Sequence, residues 1–145
     1  MKQYKIPVFL FLLFSVFQCP AQTEIEDHKE DRIDIEYKAC VAKDSSSANI
    51  CNCAFVAYDD WNKEMESAYK KLMRTLKKDK DKDALKNAQA AWVAFKDAEF
   101  KSYDYMFNRP GGNYCGMRQD GRIDIVRTRT LQLRNYIESL KKNAK

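Results

Sequence analysis

The chain has a single histidine, His28, and it lies in an acidic stretch near the start. Histidine is the usual proton carrier near neutral pH, so chemistry that turns on an imidazole has almost nothing to be built from. Glycine is nearly as scarce, with four residues, and Gly111-Gly112 follows Pro110 with no Lys-Ser or Lys-Thr after it. That excludes a phosphate-cradling loop. There is no alternating strand pattern, no internal repeat and no low-complexity stretch. After the first 17 residues no apolar run approaches the ~20 residues that a membrane-spanning helix needs. A strong charge of one sign is missing as well: the formal net charge is +5, too mild to call for nucleic acid.

What is present begins with an export signal. Lys2 and Lys5 precede an apolar run from Ile6 to Phe17, and Cys19-Pro20-Ala21-Gln22 follows. A basic flank, a short apolar core and a small-residue exit are the parts of a secretory signal peptide. Cleavage after Ala21 is expected, leaving one domain over residues 22–145 in the periplasm or secreted. Cys19 also permits acylation as a lipoprotein, but Gln18 stands where that site wants a small residue, so a lipid anchor is the less favoured outcome. Loss of Lys2 and Lys5 lowers the net charge from +5 to +3.

The start of the remaining chain is acidic, with Glu24, Glu26, Asp27, Glu30, Asp31, Asp34 and Glu36 against Lys29 and Arg32. A solvated helix face or tail accounts for this without a docking role. Four cysteines remain, Cys40, Cys51, Cys53 and Cys115. An even number in an exported chain predicts paired disulfides. A bridge between Cys51 and Cys53 would close too tight a ring, so one of them reaches Cys40 and the other Cys115, in either arrangement. Cys-x-Cys lacks the spacing of a zinc site, and no metal is expected.

The apolar positions Phe55, Tyr58, Met65, Tyr69, Leu72, Met73 and Leu76, with Trp61 and Ala68, step by three and four and predict a long helix. The charged run Lys77 to Asp83 reads as an exposed turn. A second stripe, Leu85, Ala88, Ala91, Trp92, Phe95, Ala98 and Glu99, continuing through Tyr103 and Met106, predicts an antiparallel helix that stops at Asn108-Arg109-Pro110-Gly111-Gly112-Asn113. After Gly121, Ile123, Val126, Thr130, Leu133, Ile137 and Leu140 predict a third. Residues 28–42 are a weaker helix, with Ile33, Ile35, Tyr37 and Val41 only partly in phase. The expected fold is all-α, a small disulfide-braced bundle of three to four antiparallel helices.

Enzymatic chemistry finds little purchase. The cysteines are expected in bridges, and adjacent carboxylates such as Asp59-Asp60 diverge by about 100° on a helix. No catalytic residue and no cofactor is expected, and a binding or inhibitory module fits better.

Two segments resemble a known family. Asn62-Lys63-Glu64-Met65-Glu66-Ser67-Ala68-Tyr69 and Leu85-Lys86-Asn87-Ala88-Gln89-Ala90-Ala91-Trp92-Val93-Ala94-Phe95-Lys96-Asp97-Ala98-Glu99 resemble the LprI-like lysozyme inhibitor domain. Gly111-Gly112, Cys115 and Arg129-x-x-x-Leu133 continue the likeness from Cys40 onward. The chain departs at Glu66 (Asn in the family), Lys96 (Arg) and Phe100 (Cys), and Cys51 is additional. Those two cysteine changes imply that Cys115 pairs with Cys51 and Cys40 with Cys53.

Within the motif, Tyr69, Gln89, Trp92, Phe95, Lys96 and Asp97 read as mainly structural. Leu85, Ala88, Trp92 and Phe95 would be core, Ala88 and Ala91 would allow close approach, and Gln89 would bond across the interface. Lys96 and Asp97 would tie the helix to a neighbour. The resemblance implies an exported envelope protein that binds and blocks a lysozyme or other muramidase. The competing reading is a binding module for another partner, such as a toxin or an envelope component. The best-presented contact is the loop at Arg109, Asn113 and Tyr114, which also serves simply to connect two helices.

Overall fold

The computed structural model describes residues 30–110 and 113–143. The expected leader over residues 1–21, Cys19, His28 and the pair Gly111-Gly112 lie outside them. Four helices are present, α1 (Arg32–Lys43), α2 (Ser47–Thr75), α3 (Asp79–Met106) and α4 (Tyr114–Lys142), with no strand among the described residues. None of these helices is long and apolar enough to cross a membrane. Successive helices reverse direction, so α2 and α4 run parallel. Cys51 meets Cys115 near one end, Trp61 meets Thr130 in the middle, and Glu64 meets Arg134 beyond it.

The α2–α4 pair carries the core. Ala54, Ala57, Trp61, Met65, Ala68 and Leu72 form the buried face of α2, and Ile123, Val126, Thr130, Leu133 and Ile137 that of α4. Steps of three and four put each set on one stripe. The alanines of α2 let α4 approach, and Trp61, fully enclosed, fills the space between them. Thr130 is buried without cost because its hydroxyl donates to the Val126 carbonyl at 2.8 Å.

Helix ends differ from expectation in three places, each for a local reason. α2 begins at Ser47, ahead of Phe55, because the Ser46 hydroxyl accepts the Asn49 amide and caps it; Phe55 itself is largely exposed. The charged run is not a turn beyond Lys78, because Asp79 and Asp81 occupy the first turn of α3, where negative charge is favoured. α4 begins at Tyr114 and contains Gly116 and Gly121. A Cβ on Gly116 would lie 2.4 Å from Asn113 Oδ1, and one on Gly121 2.8 Å from the Tyr103 ring. These glycines admit close neighbours and do not mark a turn.

The larger correction concerns α3. Leu85 is buried and Trp92 half-buried, but Ala88, Ala91 and Ala98 are exposed and Phe95 is 53% exposed. The helix turns inward Leu85, Trp92 and Tyr103 of the expected stripe, joined by Gln89, Lys96 and Phe100, which lie outside it. Long amphipathic side chains bury their stems and rings there while their polar ends reach partners. Apolarity alone therefore places Ala88, Ala91, Phe95 and Ala98 on the wrong side of the helix.

α1 is held by polar anchors more than by burial, since Ile33 is its only buried residue. Asp31 caps α1 by accepting the Ile33 amide and also accepts from Arg134 Nη1 at 2.6 Å. Asp34 accepts from Trp61 Nε1 at 3.2 Å and from Arg127 Nε at 2.9 Å. The Tyr37 hydroxyl donates to Asp120 at 2.6 Å, and burial followed by that bond pushes its pKa well above the usual value.

Burial alone would raise the Asp31 carboxyl, but the bonds from Arg134 and the Ile33 amide, with the charges of Arg134 and Arg127, hold it below its usual 3.8. A depressed folded-state pKa gives stability that is complete above the unfolded value and is lost as pH falls through the folded one. Melting temperature is therefore expected to drop as pH falls below about 4. Asp31→Asn keeps a good cap and should flatten that acid limb; equal acid limbs in thermal melts of both proteins would reject the assignment.

Candidate functional site

The end of the bundle where α1 and α3 finish and α2 and α4 start is fixed covalently. Cys40 of α1 is bonded to Cys53 of α2, and Cys51 of α2 to Cys115 of α4, with Cα separations of 5.9 and 5.4 Å. This is the pairing that the resemblance implies. The two bridges lie on one turn of α2 and reach opposite flanks, which is why Cys-x-Cys spacing serves here. Two disulfides fit an oxidising compartment outside the cytoplasm.

The connection between α3 and α4 emerges at this end. Phe107 closes α3, its amide bonding the Tyr103 carbonyl at 2.9 Å and its ring leaning on Tyr103 at 6.2 Å. Arg109 and Pro110 are exposed. Asn113 is turned inward onto the Cβ-less surface of Gly116, with its Oδ1 buried and unpartnered. Tyr114, the first residue of α4, is half-buried beside Cys115. Of the three expected contact residues, Arg109 is thus the one presented outright and Tyr114 partly. Just behind them Arg118 and Arg122 converge on Asp104, at 3.6 and 2.6 Å, so the neighbourhood is cationic.

The motif residues lie along the α3–α4 seam, away from that tip. Gln89 Oε1 accepts from Arg129 Nε and Nη2 at 3.0 and 2.9 Å, and its Nε2 donates to Met65 Sδ at 3.3 Å. This one amide links α2, α3 and α4. Arg129 is buried, and burial lowers its pKa. Its remaining bond goes to Gln132 at 2.6 Å, and its guanidinium faces the Trp92 ring at 5.9 Å. Lys96 lies 3.1 Å from Asp97 on the same helix and faces the Trp92 and Phe100 rings at 5.9 and 5.3 Å. The Lys96–Asp97 pair therefore stays within α3 and does not tie it to a neighbour. Phe100 meets Tyr58 edge-on at 5.7 Å, and Tyr69 packs against the core from α2.

A second surface has the opposite sign. Glu30, Asp34, Asp120 and Asp124 line a groove of about 370 Å³ between α1 and α4, with Lys38 and Arg127 the cations among them. Sequence reading found the acid of α1 but not its convergence with Asp120 and Asp124, which lie far along the chain. It also passed over Arg127 and Arg134. Their spacing of seven puts both on one face of α4, and that could have been noticed; their shared partner, the Trp61 ring at 5.5 and 5.6 Å, could not.

The described cysteines are bonded to one another, Asp59 and Asp60 share Lys63 in an ordinary helical ion pair, and the Tyr37 hydroxyl is engaged by Asp120. Among the described residues no group of three or more metal-ligating side chains converges.

Compared with known proteins, residues 39–133 match the family described as Lysozyme inhibitor LprI, more than half of the chain. The match runs from the end of α1 to Leu133 of α4. No curated protein and no solved structure matches the chain.

Proposed function

The chain belongs to the lysozyme inhibitor LprI family, and on that premise we propose that it is an exported protein that binds a muramidase and blocks it. Export would follow from the leader over residues 1–21, with the processed chain in the periplasm or secreted. The observation that carries the reading is the family match, joined to an exposed cation on a covalently anchored end of the bundle. A muramidase works with two carboxylates flanking the scissile bond. Arg109 would set its guanidinium against them, and Tyr114 would pack where a sugar ring otherwise lies. Arg118 and Arg122 are engaged by Asp104, which leaves Arg109 as the group best placed to reach outward.

The mild positive charge of the processed chain gives no general attraction to a basic lysozyme. The acidic α1–α4 groove supplies a local one on another face, so association would depend on salt through that face and inhibition on the tip.

The test is a cell-wall lysis assay in which the purified protein is titrated against animal and bacterial muramidases. Inhibition is expected near one equivalent, and Arg109→Ala should weaken it by about 10-fold or more, in line with loss of one well-placed charged contact. Asp124→Asn in the acidic groove should reduce the salt dependence and leave saturating inhibition unchanged. Absence of inhibition towards every muramidase tried would sink the proposal.

A further inference from the structure

We propose that the end of the bundle opposite the disulfides docks on an anionic bilayer surface. α2 and α4 finish at this end and α3 starts there. Residues 66–86 and 138–143, which make it up, hold ten cations against five acids, a net charge of +5. The processed chain totals +3, so all other residues together come to −2 and the positive charge is concentrated here. Four of these cations are taken up by ion pairs: Lys70 with Glu66, Lys82 with Asp79, Lys86 with Asp83 and Lys141 with Glu138. Lys71, Arg74, Lys77, Lys78, Lys80 and Lys142 are exposed and make no ion pair among the described residues, and Asp81 is the one acid of this end left over.

Ordinary helix chemistry accounts for part of this charge and not for the rest. Arg74 and Lys142 sit in the last turns of α2 and α4, where cations complement the exposed carbonyls. Lys78 and Lys80 have the opposite placing, at the start of α3, where the helix dipole favours negative charge. Lys78 also occupies the N-cap, where Ser, Thr, Asp or Asn would accept an amide, and its side chain makes no capping bond. Both positions carry lysine against the local preference.

What the cations surround identifies the surface they fit. Leu76 and Leu140 line a pocket of about 370 Å³ together with Lys77, Lys78, Lys141 and Asp81. Leu140 is 39% exposed. Lysines with long apolar stems around exposed leucines suit a headgroup boundary, with ammonium groups on lipid phosphates and leucines towards the acyl chains. A soluble anionic polymer would use the charge and leave the leucines in water. A single anion at the start of α3 would be opposed by Asp79 and Asp81 in its first turn. None of the four helices is long and apolar enough to cross a bilayer, so the contact proposed is peripheral. With α2 upright, its 29 residues would hold the Arg109 connection about 40 Å above the surface. This inference does not rest on muramidase binding, and either can fail without the other.

The test is co-sedimentation of the purified processed protein with phosphatidylcholine vesicles, with and without phosphatidylglycerol. Binding is expected only with the anionic lipid and should fall steeply as salt rises. Lys77→Gln with Lys78→Gln should lower the partition coefficient by about 10–30-fold. Lys43→Gln with Lys101→Gln, exposed lysines towards the disulfide end, removes the same charge and should change it by less than about 2-fold. Leu140→Asn should lower it by about 3-fold or more with circular dichroism unchanged, since the side chain is exposed. No binding to anionic vesicles, equal loss from the two lysine pairs, or indifference to Leu140→Asn with soluble polyphosphate bound equally well would each overturn the proposal.

Discussion

Trp61→Ala is expected to lower stability by about 3–5 kcal/mol, a large share of a typical total of about 5–15 kcal/mol. The indole is fully buried at the point where α1, α2 and α4 meet. Its removal opens a cavity between helices that cannot easily collapse, because the α2–α4 spacing is also fixed by Leu72, Leu133 and Ile137. Two further losses add to the cavity. Arg127 and Arg134 lose the ring against which both guanidiniums lie, and Asp34 loses the Nε1 donor that joins α1 to α2. α1 should loosen first, since Ile33 is its only buried residue. Trp61→Phe keeps most of the volume but not the donor, and should cost about 1–2 kcal/mol. Denaturant unfolding checks both, and a change below about 1 kcal/mol for Trp61→Ala would contradict this account of the core.

Replacing Cys51 and Cys115 together by serine is the second large effect. The bridge spans a separation of 64 residues, and a loop of that size lowers the entropy of the unfolded chain by about 4 kcal/mol in free energy. The Cys40–Cys53 bridge, with a separation of 13, should contribute about 3 kcal/mol. Melting should fall by roughly 10–20 °C for the Cys51/Cys115 pair. The functional loss should be out of proportion to stability. Cys115 is the second residue of α4, so its bridge to α2 is what holds the Arg109–Tyr114 connection in place. If the chain inhibits a muramidase as proposed, inhibition should still be weakened at a temperature where the serine variant remains folded, whereas loss of Cys40–Cys53 should affect stability alone.

Much of this fold is written in local pattern. The stripes of α2 and α4 are regular in three-four steps, and both helices bury the residues that those steps select. The inward face of α3 is legible only at Leu85, Trp92 and Tyr103, because the sequence carries two stripes, an alanine-rich one and a mixed one, and apolarity favours the first. The bundle takes the second, since Gln89 can reach Met65 and Arg129, and Trp92 can meet Arg129, across a wider gap than alanine can bridge. Helix starts were misplaced wherever the deciding factor was a cap or a close contact: the Ser46 cap of α2, the acidic first turn of α3, and the neighbours of Gly116 and Gly121.

The candidate site was legible in part. Arg109 stood out because proline and glycine follow it, and the structure leaves it exposed. Asn113 looked equivalent but is turned inward by the space over Gly116. The polar anchoring of α1, through Asp31 to Arg134, Asp34 to Arg127 and Tyr37 to Asp120, spans more than eighty residues in each case, a distance at which sequence pattern carries no information about contact.

The most direct measurement of the central claim is competition at the muramidase cleft. Binding of the purified protein to a muramidase should be followed by calorimetry, with and without a saturating N-acetylglucosamine oligosaccharide in the enzyme's cleft. If the protein blocks the enzyme by inserting its Arg109 tip, one-to-one binding is expected alone and is abolished by the oligosaccharide. Binding that is indifferent to the oligosaccharide, or no binding at all, would contradict it.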